Sequence, residues 1–179
     1  ADAVERLDGL GGGLCASAIL GVPDADLADM LHGVSFHKRK AQYLKAVASK
    51  VAECGGQVPQ SVRELMALPG VGPKIAHLVA QVAFGKVEGI VVDTHVHRIC
   101  NAIGWASGRT PEQTRRALEA WLPRGLWAEL NPLLVGLGQG ARQRPLELAR
   151  ACARSSDRRL ARELALAAGV SQKLLGDLE

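Results

Sequence analysis

The sequence is short of cysteine, and the cysteines it has stand far apart. Cys15, Cys54, Cys100 and Cys152 include no C-x-x-C pair. That spacing suits neither a zinc site nor an iron–sulfur cluster, so no metal and no cofactor are expected. Four scattered cysteines in 179 residues read as reduced core thiols, not as a disulfide framework. No apolar run approaches the roughly 20 residues that span a bilayer, so no membrane role is expected. Almost no segment alternates apolar and polar residues, which leaves little for a half-buried sheet. No internal repeat or low-complexity tract stands out.

What remains is helix. Apolar residues make up 47% and charged residues 22% of the chain, an ordinary globular balance with ample material for a buried core. From His37 to Val51 the residues Ala41, Leu44, Val47 and Val51 fall on one helical stripe, and Gly55-Gly56 stop it. Ser61-Val62-Arg63-Glu64 has the form of a capping box opening a short helix to about Leu68. Leu68-Pro69-Gly70-Val71-Gly72 is a tight turn, Pro73 suits a first helical position, and the next helix runs to Phe84 before Gly85. The β-branched stretch Val87 to Val92 is too isolated for a sheet and reads as a buried connector. Asp93 or Thr94 caps a helix ending at Gly104, and Thr110-Pro111-Glu112-Gln113 starts another. A helix from Leu126 to Gly138 follows, then two or three more after Pro145.

Charge is unevenly placed. The net charge is +4, yet the segment from Ala141 to Arg162 alone is +5, with Arg142, Arg144, Arg150, Arg154, Arg158, Arg159 and Arg162 against Glu147 and Asp157. The plain reading of such a stretch is a solvated helix face. Enrichment in arginine without lysine points further, because the guanidinium fork meets phosphate oxygens at two points. Arg142 and Arg144 are therefore candidate nucleic-acid contacts.

Two helices joined by Leu68-Pro69-Gly70-Val71-Gly72 form a helix-hairpin-helix. Its glycines let the backbone approach a phosphate, and the second helix aims free N–H groups at it, a way to hold a DNA backbone without reading sequence. Lys74 falls in the first turn of that second helix, where the dipole disfavours a cation. An exposed lysine is ordinarily just solvated. Here the local rule is broken where function is suspected, and the dipole with partial burial favours the neutral amine a nucleophile needs. Asp93 at a helix start is ordinarily a cap. A functional carboxylate there stabilises a cationic sugar or shuttles protons. His95 and His97 lie two apart and face different ways on a helix, so they read as packing residues and not as metal ligands.

The run Leu68-Pro69-Gly70-Val71-Gly72-Pro73-Lys74-Ile75-Ala76, followed by Val92-Asp93-Thr94-His95-Val96-His97-Arg98, resembles the endonuclease III branch of the helix-hairpin-helix DNA glycosylases. Trp121-Leu122-Pro123 through Leu134-Val135-Gly136-Leu137-Gly138-Gln139 is similar as well, most of all to eukaryotic members. The resemblance implies an all-α helix-hairpin-helix glycosylase fold of two helical lobes. Residues 1–86 would form most of a six-helix bundle with the hairpin, residues 87–179 a second lobe with the Arg-rich segment, and the active-site cleft would lie between them. It implies Lys74 as the nucleophile that attacks C1′ of a damaged nucleoside and forms a Schiff base, and Asp93 as the carboxylate that assists departure of the base. β-Elimination at the abasic site follows. Damaged pyrimidines, flipped from the stack of double-stranded DNA, are the implied substrates, and the nucleus or the mitochondrion is the expected compartment.

Two departures stand beside the resemblance. Family members follow the Gly138-Gln139 position with four cysteines that bind a [4Fe–4S] cluster, whereas this sequence reads Gly140-Ala141-Arg142-Gln143-Arg144-Pro145 and then has only Cys152. One cysteine does not hold a cluster, so the second lobe is expected without one. The family also opens with a helix bearing a Ser-Gln-x-Thr element, and this sequence begins at Ala1-Asp2-Ala3-Val4 just beyond that point, so either the opening helix is not included in the sequence or it has been lost. These departures motivate an alternative, a non-catalytic subunit of a large ribonucleoprotein such as a mitochondrial ribosome, with rRNA and ribosomal proteins as partners. A mismatch-directed adenine glycosylase is a third reading, against which the lysine at position 74 argues.

Overall fold

Caps, glycine stops and helical stripes dictate the architecture from short range. In the computed structural model, which describes residues 2–11 and 13–177, they yield twelve α-helices and, among the described residues, no strand. The all-α class is as expected. No helix there is long and apolar enough to cross a membrane. The chain divides into two compact units, residues 1–76 and 77–179. The boundary expected from sequence, after residue 86, falls near the far end of the helix in which the units divide. Ala1, Gly12, Leu178 and Glu179, which the expected lobes include, lie outside the described residues.

The first unit holds α1 (Asp2–Asp8), α2 (Ala16–Gly21), α3 (Asp24–Met30), α4 (His37–Glu53), α5 (Val62–Leu65) and the start of α6 (Pro73–Phe84). Leu7, Ile19, Leu27, Leu31, Ala41 and Ala48 form one core in which α4 packs against α2 and α3. Two long cations close helix ends there. The Lys45 ammonium donates to the carbonyls of Leu20 (2.9 Å) and Val22, beyond which α2 has no donors of its own. Arg6 donates likewise to Met30 (2.7 Å) and His32 (2.8 Å) at the end of α3. Gly56, at φ +82°, ends α4 by returning its N–H to the Val51 carbonyl at 2.9 Å. Helix α5 is shorter than the expected run to Leu68. It stops at Leu65, and the Leu68 N–H bonds the Leu65 carbonyl in a tighter turn.

The second unit holds the rest of α6, an extended connector, α7 (Thr94–Ala102), α8 (Pro111–Glu119), a 3₁₀ turn (Arg124–Leu126), α9 (Trp127–Gln143), α10 (Pro145–Ala153), α11 (Arg158–Ala168) and α12 (Gln172–Gly176). The connector is buried as expected, with Ile90 and Val91 at 0% exposure. Helix α9 runs five residues past the expected end at Gly138. Gly138 is not a stop: a Cβ there would enter the His95 ring, so its smallness serves packing. Pro132 also lies inside α9 and has no N–H for the Ala128 carbonyl. That carbonyl accepts instead from Gln81 Nε2 of α6 at 3.0 Å.

The cysteines only partly follow the expectation of core thiols. All four are free. Cys100 is fully buried and its thiol is pushed up to about 11 by that burial, while Cys152 is half-buried. Cys15 and Cys54 are exposed, because they flank α2 and α4 at helix ends that face solvent.

Candidate functional site

The hairpin is built by local rules and then locked by a distant ring. Ser61 Oγ accepts the Glu64 N–H at 3.2 Å while Glu64 Oε2 accepts the Ser61 N–H at 3.4 Å, completing the expected capping box. Val62 and Leu65 bury the inner face of α5. In the turn, Val71 N–H donates to the Leu68 carbonyl at 3.2 Å, and Ala76 N–H to the Gly72 carbonyl at 3.0 Å. Gly70 sits at φ +74°, and a Cβ on it would lie 2.5 Å from the Tyr43 ring. Glycine is therefore required twice over, by its backbone and by Tyr43. Arg39, one turn earlier on α4, donates from Nε to Tyr43 Oη at 2.8 Å and lies over the same ring, 5.4 Å from its centroid. Tyr43 and Arg39 were not candidates from sequence. Their i, i+4 spacing was visible, but their contact with the turn is long-range.

Gly72 behaves differently. Its φ is not positive, and a Cβ there would meet nothing within 4 Å. The folded chain itself gives no reason for glycine at this position. Pro73 then opens α6, and Lys74 in the first turn is exposed, not partly buried. Beside the turn lies a largely apolar cavity of about 610 Å³, whose lining includes Phe36, Arg39, Lys40, Tyr43, Pro69, Val71 and Ile75. Leu68, Pro69, Gly70, Val71, Gly72 and Lys74 thus stand together on one hairpin of the first unit.

Asp93 belongs to the second unit. It is the N-cap of α7, and its Oδ1 accepts the N–H groups of His95 and Val96, both at 2.9 Å. The carboxylate is half-buried and held in one orientation at the positive end of that helix. His95 packs under Gly138, and His97 Nδ1 bonds Thr114 Oγ1 at 2.7 Å, so both are packing residues as expected. Arg142 is exposed in the last turn of α9, and Arg144, also exposed, pairs with Glu147 at 3.5 Å. Arg150, Arg154, Arg158 and Arg159 are exposed as well.

A polar cluster flanks the connector. Arg115 bridges Glu112 (2.6 Å) and Glu119 (2.5 Å) along α8. Hydrogen bonding to Arg115 holds the Glu112 carboxyl down at about 2, and burial lowers His77 from its ordinary range.

Comparison with known proteins points one way. The family profile described as HhH-GPD superfamily base excision DNA repair protein matches residues 2–124. The chain is 50% identical over 142 residues to Endonuclease III-like protein 1 of Bos taurus, covering 78% of this chain and 46% of that protein. It is 49% identical over 131 residues to the Endonuclease III homolog of Schizosaccharomyces pombe, covering 73% and 37%. The chain thus spans less than half the length of these relatives. Among solved structures it is similar to a non-covalent Endonuclease III–DNA complex, with a TM-score of 0.75, 26% identity, and 90% of this chain and 74% of that chain covered. A trapped Endonuclease III–DNA covalent intermediate gives 0.71, 27%, 76% and 64%. Nothing in these comparisons supports a ribonucleoprotein subunit with rRNA and ribosomal proteins as partners.

The comparisons also correct the expectation of no cofactor. Homologues of endonuclease III carry a [4Fe–4S] cluster, and kinship at about 50% identity assigns the cluster to the family in which this chain falls. The thiols described here do not fit it. Cys100 is enclosed in the α7 core, Cys152 Sγ donates to the Ala161 carbonyl, and no three potential ligands come together among the described residues.

Proposed function

Because this chain belongs to the HhH-GPD superfamily of base excision DNA repair proteins, we propose that it is a bifunctional DNA glycosylase/AP lyase acting on oxidised pyrimidines in double-stranded DNA. The observation that carries the reading is the hairpin: a turn closed by Gly70 against Tyr43, an unencumbered Gly72, and Lys74 in the first turn of the helix that follows. Leu68 to Gly72 hold the phosphate backbone through N–H groups, and Arg142 and Arg144 add phosphate contacts.

The chemistry follows from the two site residues. The damaged nucleotide is flipped out of the stack. The Lys74 amine forms a bond to C1′ as the bond from C1′ to the base breaks, and the base leaves with the electron pair. Asp93, held in place as the cap of α7, stabilises the positive charge that develops on the sugar. Loss of a proton from nitrogen and opening of the ring give the Schiff base. Removal of a C2′ proton then expels the 3′ phosphate and cuts the strand. Relatives that are eukaryotic endonuclease III proteins support action on nuclear or organellar DNA, and we place this chain in the nucleus or the mitochondrion.

Strand cleavage of a duplex carrying one oxidised thymine tests this reading. The wild-type chain is expected to cut at the lesion and Lys74→Gln to leave the strand whole. Equal cleavage by both would remove Lys74 from the mechanism.

A further inference from the structure

We propose that Glu119 and Asn131 are positioning residues for the Asp93 carboxylate, acting through the connector that leads into α7. The proposal rests on the reading of Asp93 given above. The connector is buried and has no strand partner, so its backbone groups must be satisfied from elsewhere. Two neighbouring residues are satisfied by two different helices. Ile90 N–H donates to Glu119 Oε1 of α8 at 2.8 Å, and the Val91 carbonyl accepts from Asn131 Nδ2 of α9 at 3.0 Å.

Neither anchor is free to swing. Glu119 offers its second oxygen to Arg115 at 2.5 Å, and Arg115 is held in turn by Glu112. Asn131 precedes Pro132, in the turn of α9 whose Ala128 carbonyl is tied to Gln81 of α6. The backbone itself lies hard on this cluster: a Cβ at Gly89 would stand 2.5 Å from His77 Cε1 and 2.8 Å from Glu119 Oε1. Glycine at 89 is what lets the connector lie so low.

Two residues beyond Val91 stands Asp93. Its carboxylate is fixed downstream by the amides of His95 and Val96, and its backbone is fixed upstream by Glu119 and Asn131. Both sets of contacts have to hold for the carboxylate to face one place. A misplacement of about 1 Å in such a group costs up to roughly a hundredfold in rate. Neither Glu119 nor Asn131 is assigned contact with substrate; each acts through Asp93.

The test compares two activities with a local structural readout, on the whole chain. Base release from an oxidised-thymine duplex depends on Asp93, whereas borohydride trapping at a preformed abasic site starts with the base already gone. In Asn131→Leu and Glu119→Leu, base release is expected to fall roughly tenfold to a hundredfold and trapping to fall far less. Hydrogen exchange of the His95 and Val96 amides is expected to quicken, and Glu119→Gln, which keeps an oxygen for Ile90 N–H, to restore most base release. Should a leucine variant fail to fold, Asn131→Asp, which keeps the shape but turns an acceptor toward the Val91 carbonyl, is expected to give the same split. Equal loss of both activities in a folded variant, or unchanged exchange and base release, overturns the proposal. A wild-type chain that traps nothing contradicts the proposed function instead, and the exchange measurement alone then decides whether these residues position Asp93.

Discussion

Gly70 and Gly72 stand two residues apart in one turn and are glycine for different reasons. Gly70 is dictated by the fold, since its φ of +74° and the Tyr43 ring 2.5 Å from any Cβ both exclude a side chain. Alanine there is expected to cost about 2 kcal/mol or more, from left-handed strain plus overpacking against the ring. Gly72 has open space where a Cβ would go, so Gly72→Ala is expected to leave folding unchanged within about 0.5 kcal/mol. A phosphate backbone held by the turn as proposed would meet the added methyl. Denaturant midpoints and affinity for an abasic duplex, measured on both variants, check the contrast. Gly70→Ala loses stability, whereas Gly72→Ala keeps it and loses affinity; a Gly72→Ala variant that binds as well as wild type removes the close-approach argument.

Elements were legible in the sequence wherever their signals are local. Ser61, Pro73, Gly85 and Asp93 mark helix ends because caps, a locked proline φ and a left-handed glycine act within one turn. The hairpin, and the place of Lys74 in the first turn of its second helix, were readable for the same reason. The Thr110 start is a partial case: Thr110 Oγ1 accepts the Gln113 N–H, but the Gln113 side chain reaches the Arg109 N–H instead of closing a box on Thr110. Helix α9 was read too short because Gly138 looks like a stop until His95 is seen packed on it. Tyr43, Glu119 and Asn131 were invisible as site residues because each acts across contacts far apart in sequence, which periodicity does not encode.

The charge network of α8 makes a prediction at the same scale. Glu112 ionises at about 2 in the fold and near 4.5 when free, so its contribution is complete above pH 4.5 and is lost as pH falls toward 2. His77 is lowered by burial, so protonating it also works against the fold as pH falls below its ordinary value. Both act in the same direction, and acid weakens this cluster. Glu112→Gln is expected to lower the denaturant midpoint at pH 7 while its deficit shrinks toward pH 2. A deficit that does not change with pH contradicts the assigned role of Arg115 and Glu112.

For the molecule as a whole, the family match runs from residue 2 to 124, across both compact units. The first unit holds the hairpin and Lys74, and the second holds Asp93 as the cap of α7. The proposed function requires Schiff-base chemistry on DNA at Lys74. It is tested most directly by incubating the chain with a duplex containing one abasic site, adding borohydride, and resolving protein from protein–DNA adduct. The account predicts a covalent adduct with the wild-type chain and none with Lys74→Gln. A folded wild-type chain that forms no adduct, or a Lys74→Gln variant that forms as much, would contradict it.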